Sequence, residues 1–247
     1  MGCRINKIFF VGSGARGCAI ANLIAENGHE TFIYSNDQKT LAEIDKNRTN
    51  QVFLPNIALS RNLKVNFDLK NALLDVDYLF IVIPAKFLDG FLAEIKDIIA
   101  SKTKIIVATK GLIDQKPYLI SELIVKIVKN PVAILSGPNF AIEVANKIPS
   151  ITTIACDNFG EEIALIMDND YFSCHVSNDV IMAQICGVVK NIMAIACGII
   201  DGLDLGYNCK AAIIVEFIKE IEKLGQFFYV KEYNLNCAYG FGDIYLT

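Results

Sequence analysis

A chain of 247 residues with 53% apolar side chains and a mean hydropathy of +0.39 has the material for one large core or two modest ones. Its formal net charge of -4, with no basic cluster, argues against nucleic acid as a partner. Asp77, Lys86, Asp97, Lys190 and Asp201 interrupt the apolar runs before any reaches the roughly 18 residues of a bilayer crossing, so no membrane span is expected.

Residues 7–11 are a β-type run (Ile8, Phe9, Phe10) leading into Gly12-Ser13-Gly14-Ala15-Arg16-Gly17, and residues 18–27 follow as an amphipathic stretch closed by Gly28. Strand, glycine turn and helix in this order form a dinucleotide-binding fingerprint. The first glycine permits a tight turn, the second lets backbone amides approach a pyrophosphate, and the third lets the helix pack on the strand. Residues 30–34 supply the second strand. An acidic residue at its end ordinarily bonds the adenosine ribose of NAD. Here the order is Tyr34-Ser35-Asn36-Asp37, which places Asp37 one position late, while Arg16 is available for a 2′-phosphate. NAD and NADP both stay open.

The near-continuous apolar runs 77–83, 104–108 and 132–135 belong in a parallel sheet buried on both faces, and helical patterns at 88–99 and 118–128 separate them. The repeated unit predicts an α/β fold with a Rossmann-type, doubly wound, mostly parallel sheet. Residues 150–156 and 171–176 extend it. From Asp179, a candidate N-cap, helices take over at 180–197 and 209–224. The expected division is a dinucleotide-binding domain, 1–178, and a partial, incomplete all-α substrate domain, 179–247.

Between Ile185 and Ile200 the strongly polar side chains are Lys190 and Asn191, which is costly in so apolar a run unless something polar meets them. A ligand is the favoured partner, and a carboxylate from another helix is the alternative. The helical neighbours Ala183, Cys186, Gly187, Met193 and Ala194 are mostly small and leave room beside the ammonium. Eight cysteines without a C-x-x-C pair, and only His29 and His175, suggest neither a disulfide framework nor a metal site. Reduced thiols and the lack of a charged-then-apolar leader point to the cytoplasm. Met1-Gly2-Cys3-Arg4 superficially suggests lipidation, but position 6 is Asn where Ser or Thr is needed.

Gly12 to Gly17, Phe53-Leu54-Pro55, Val82-Ile83-Pro84, Lys110-Gly111, Ser136-Gly137-Pro138-Asn139-Phe140-Ala141-x-Glu143, Lys190-Asn191, the 198–212 stretch and Gly240-Phe241-Gly242-Asp243 stand in the order and spacing of a known family. By these segments the whole chain resembles NAD(P)-dependent glycerol-3-phosphate dehydrogenase. The resemblance implies an oxidoreductase interconverting dihydroxyacetone phosphate and sn-glycerol 3-phosphate with NAD(P)H, feeding glycerophospholipid synthesis. It implies that Lys190 is the catalytic acid/base, that Lys110 contacts both substrate and cofactor, and that Asp243 belongs to the catalytic site. Gly137 and Asn139, with Asn191 beside Lys190, would line the substrate. Gly12, Gly14, Ala15, Arg16, Gly17, Asn36 and Ala141 would hold the cofactor. A strand-to-helix turn at Gly137-Pro138 and a helix N-cap at Asp243 are the plain structural alternatives.

Two departures accompany the resemblance. The family continues past Leu246-Thr247 into a serine-arginine-asparagine segment whose arginine grips phosphate, and bacterial members tend to carry Thr-Arg-Gly where this chain has Val215-Glu216-Phe217. Both weaken recognition of an anionic substrate. Three readings follow: a working dehydrogenase, a truncated and catalytically impaired homologue that retains only dinucleotide binding, and a hydroxyacid or ketopantoate-type dehydrogenase. The third leaves Ser136 to Ala141 unexplained. The expected partner is a small phosphorylated substrate, and a homodimer stays open.

Overall fold

Apolar β-branched and aromatic runs, each followed by a helix, assemble into one sheet with helices on both faces. A computed structural model describes residues 5–114 and 118–246; Thr247 and the Met1-Gly2-Cys3-Arg4 segment weighed above as a lipidation signal lie outside them. The order is β1 (Lys7–Val11), α1 (Ala15–Glu26), β2 (Glu30–Tyr34), α2 (Gln38–Asn47), β3 (Leu63–Val65), α3 (Leu69–Ala72), β4 (Tyr78–Ile81), α4 (Leu88–Ile95) and β5 (Lys104–Val107). It continues with α5 (Ile120–Ile127), β6 (Val132–Ser136), α6 (Ala141–Ala145), β7 (Ser150–Ala155), α7 (Gly160–Met167), β8 (Phe172–Ser177), α8 (Val180–Gly202), α9 (Gly206–Phe227) and α10 (Asp243–Tyr245).

The strands lie in the order β3-β2-β1-β4-β5-β6-β7-β8. The first six are mutually parallel, β7 runs against β6, and β8 is parallel to β7. This is the doubly wound plan that the sequence predicts, with β7 and β8 as its extension. Val11 pairs with both Tyr34 and Ile81, Ile81 with Val107, and Val107 with Ile134, so the carboxyl ends of β2, β1, β4 and β5 finish level and β6 runs on to Ser136. Chain order reverses between β1 and β4, and ligands bind at such a switch point because the following loops diverge there.

Alternation along β1 feeds two cores: Ile8 and Phe10 face one, Phe9 and Val11 the other. Phe10 stacks on Phe80 of β4 with ring centroids 4.4 Å apart. The expected strand 77–83 is shorter, because the Asp77 carboxylate accepts the Lys7 N–H at its start and Pro84 opens a turn at its end. The expected helix 88–99 stops at Ile95. The Asp179 side chain does accept the Met182 N–H and starts α8, which runs to Gly202.

By length and composition α8 would suffice to cross a membrane, but half of its most apolar window is buried inside the fold, as for a core helix. Met182, Ala183, Ile185, Cys186, Val189 and Met193 lie in the second core, while Ile192, Ile195 and Ile199 are exposed. The seven described cysteines are free thiols.

Candidate functional site

A cleft of about 860 Å³ opens at the switch point, over the level carboxyl ends of the parallel strands. Gly12, Gly14, Ala15, Arg16, Gly17, Asn36 and Lys110, all singled out in the sequence, line it. The three glycines play separate roles. Gly12 has φ +116°, and a Cβ there would stand 2.4 Å from the Val82 carbonyl oxygen; a Cβ on Gly17 would stand 2.0 Å from the Gly12 oxygen. Those two close the strand–turn–helix unit. Gly14 is extended, and a Cβ on it would meet no protein atom within 4 Å. That missing side chain leaves the amino end of α1 open to an anion, which fits a dinucleotide pyrophosphate.

At the β2 end, Tyr34, Ser35, Asn36 and Asp37 line the cleft; Phe91 and Glu94 of α4 also line it, and the Glu94 charge is felt at the Tyr34 hydroxyl. Asp37 is the N-cap of α2: Oδ1 accepts the Lys39 and Thr40 N–H groups, and Oδ2 accepts the Thr40 hydroxyl at 2.7 Å. These bonds, the Thr40 hydroxyl first, hold its carboxyl below the usual range. The Tyr34 hydroxyl donates to Asn36 Oδ1.

The geometry corrects the suggestion that Arg16 accepts a 2′-phosphate. Its guanidinium reaches the Leu135 carbonyl on β6. That strand lies four places from β2, or about 19 Å at the usual strand spacing. Arg16 instead joins the charges around Asp243. Burial lowers its proton affinity, the Asp243 charge opposes that, and its Nε is sealed without a hydrogen-bond partner.

Three chain-distant residues meet beside the cleft, where Lys110 of its lining joins Asp243 and Lys190 behind it. Asp243, fully buried, accepts from Lys110 Nζ at 2.7 Å through Oδ2 and from Lys190 Nζ through Oδ1. The lysine side chains are 17% and 14% exposed, enough for a ligand to reach them. Lys110 follows β5, and the Thr109 hydroxyl fixes this turn by donating to the Ile83 carbonyl at 2.7 Å. Lys190 lies on α8, which approaches closely at Gly187, where a Cβ would stand 3.7 Å from Lys110 and from Ser136 Oγ. Burial pulls the Lys110 ammonium down to about 7; Asp243 opposes this, while Arg16 and Lys190 add to it.

Asp243 is delivered by a tight turn through residues 238–242. A Cβ on Gly240 would strike the Leu235 carbonyl at 2.3 Å, and one on Gly242 would stand 3.2 Å from Pro138. Residue 243 is therefore not a helix N-cap, since Gly242 occupies that position in α10. The polar partner of Lys190 inside the protein is a carboxylate, the alternative to a ligand weighed above. Asn191 is exposed on α8, its amide turned back toward the Gly187 carbonyl.

Gly137 and Asn139 sit where β6 turns toward α6, and Asn139 donates to the Ile151 carbonyl of β7. Ala141 starts α6 and packs against the first core, outside the cleft lining. Glu216 is exposed on α9 and pairs with Lys219 at 2.7 Å. Sequence reasoning quoted Ser136 in a motif but gave it no role; its buried Oγ lacks a hydrogen-bond partner near Lys110 and Gly187. It missed Phe91 and Glu94, which carry no motif and read as one face of an ordinary helix.

A Rossmann sheet with a glycine-lined cleft and two lysines on one buried carboxylate defines a dinucleotide-dependent oxidoreductase. The model of the NAD-dependent glycerol-3-phosphate dehydrogenase N-terminus matches residues 7–161, and that of the C-terminus matches residues 179–247. A glycerol-3-phosphate dehydrogenase [NAD(P)+] of Fusobacterium nucleatum is 37% identical over 98% of this chain and 73% of its own; one of Clostridium botulinum is 32% identical over 98% and 74%. The crystal structure of glycerol-3-phosphate dehydrogenase from Coxiella burnetii superposes with a TM-score of 0.93 at 33% identity, over 98% of this chain and 75% of that one. The chain belongs to the NAD-dependent glycerol-3-phosphate dehydrogenase family. A ketopantoate reductase of Ralstonia eutropha, 15% identical with a TM-score of 0.65, shares the fold alone.

Proposed function

We infer that this chain interconverts dihydroxyacetone phosphate and sn-glycerol 3-phosphate with NAD(P)H, feeding glycerophospholipid synthesis. The observation that carries the reading is the pair of lysines on buried Asp243 at one end of a glycine-lined dinucleotide cleft. Gly12, Gly14, Ala15, Arg16, Gly17 and Asn36, with Ala141 nearby, would hold the nicotinamide cofactor, which would supply the hydride when bound. The substrate oxygen then develops alkoxide charge and needs a proton, which the Lys190 ammonium donates. Lys110 holds and polarises the substrate with Gly137, Asn139 and Asn191 around it, and Asp243 orients both ammonium groups. Residues 1–178 would bind the dinucleotide and 179–247 would bring the acid to it. The family match that begins at residue 179, together with the Asp179 cap, supports that division.

The test follows isotope from cofactor to product. With NADH deuterated at the transferable C4 position, dihydroxyacetone phosphate should yield glycerol 3-phosphate carrying deuterium on C2. NADH binding without substrate-dependent oxidation would favour the impaired, binding-only reading, and turnover of ketopantoate instead would move the chain to another substrate class.

A further inference from the structure

We propose that the cleft selects NADH over NADPH, because Asp37 and Glu94 line its adenosine end while the cations of the lining point elsewhere. The inference rests on the cleft being the dinucleotide site and extends that reading to the choice of cofactor. The two cofactors differ by one phosphate on the adenosine ribose, and in a sheet of this order that ribose lies at the end of β2.

Each charged lining residue can be placed. Asp37 and Glu94 are anionic and exposed, and the Glu94 charge, after burial, helps to raise the Tyr34 hydroxyl. Glu94 therefore acts on the β2 end although it belongs to α4. The cations of the lining are Arg16, Lys86 and Lys110. Arg16 bonds Leu135 of β6 and Lys110 pairs with Asp243. Lys86 stands over the Phe87 ring, 4.9 Å from its centroid, beyond the end of β4 and two strands from β2. Lys39, in the first turn of α2, is exposed and outside the lining.

A ribose hydroxyl can donate a hydrogen bond to Asp37, whose carboxylate is already oriented by its capping bonds. A phosphate dianion has no proton to donate and meets two carboxylates without a guanidinium to offset them. Asp37, one position late in sequence, still serves because capping turns it into the cleft mouth. Its exposure allows salt to screen the repulsion, so the preference should be moderate and should shrink as ionic strength rises.

Fluorescence titration of the whole chain with NADH and with NADPH tests this. NADPH should bind at least ten-fold more weakly at low salt, with the gap narrowing at high salt. Asp37→Ser keeps a capping hydroxyl, so combined with Glu94→Gln it should close most of the gap without unfolding α2; Asn36→Arg should improve NADPH binding about ten-fold or more. Equal or tighter NADPH binding by the wild type, or a gap unchanged in the double variant, would overturn the proposal. Failure of the folded wild type to bind either cofactor would instead remove the cleft assignment, and the proposal with it.

Discussion

The two ends of the cleft are built by different physics. At the phosphate end the groups that matter are backbone: two glycines pressed against carbonyls and a third facing open space, all within six consecutive residues. At the end proposed to be catalytic they are side chains, and Asp243 bonds partners 133 and 53 residues away in sequence. A local turn is specified by local residues, whereas a buried charge cluster exists only once the whole sheet and α8 are in place. Loss of the open glycine, Gly14, should therefore remove a ligand and spare the fold, whereas loss of the shared carboxylate, Asp243, should also remove stability.

Gly14→Val sets the comparison at its widest. A Cβ there meets no protein atom within 4 Å, so the fold should survive while NADH affinity falls by more than about 100-fold, through lost approach to the pyrophosphate. Gly12→Val drives a side chain into the Val82 carbonyl and should cost the fold itself. Calorimetry and circular dichroism on both variants separate these outcomes; unchanged NADH affinity in Gly14→Val would break the contrast.

Asp243→Ala should destabilise the protein by about 3 to 5 kcal/mol, since it leaves two partly buried ammonium groups without their shared carboxylate. Urea denaturation measures this, and a loss below about 1 kcal/mol would mean that the lysines find other partners. Phe80→Ala, which removes the ring stacked on Phe10, should cost a similar 3 to 5 kcal/mol, whereas Ile195→Ala on the open face of α8 should stay within about 0.5 kcal/mol.

The pH dependence sharpens the catalytic end further. Lys110 is pulled down to about 7, so it is charged below that pH and neutral above it. If its charge holds the substrate phosphate, KM for dihydroxyacetone phosphate should be flat below pH 7 and rise above it, by about ten-fold near pH 8. Lys110→Arg keeps its charge throughout and should flatten that rise, whatever its absolute rate. A wild-type KM that stays flat to pH 9 would show that Lys110 keeps its proton or does not meet the phosphate.

The same contrast explains what the sequence disclosed. Strands β1 and β2 are legible to the residue because apolar runs and glycines mark both ends, and Asp179 announces α8 as a cap. Helix α2 is not, because its face toward the core is only Thr40, Leu41 and Ile44, and its cap, Asp37, reads as a ribose ligand. Strand β3 has three residues, too few for a period. At the site, Lys190 stands out as a cation in an apolar run, yet its partner Asp243 does not, because nothing local ties residue 243 to residue 190. Arg16 misleads for the same reason: its position in the fingerprint suggests the ribose, and only the path of β6 shows where the guanidinium goes.

The central claim is that Lys190 gives up the proton when the substrate is reduced. Single-turnover oxidation of bound NADH by dihydroxyacetone phosphate, compared between wild type and Lys190→Ala, tests it most directly. General acid catalysis contributes about 10²- to 10⁴-fold, so the variant should be slower by at least that lower bound while its NADH affinity and circular dichroism stay at wild-type values. A near-normal single-turnover rate in a folded, cofactor-binding Lys190→Ala would contradict the account and make Lys190 a structural partner of Asp243.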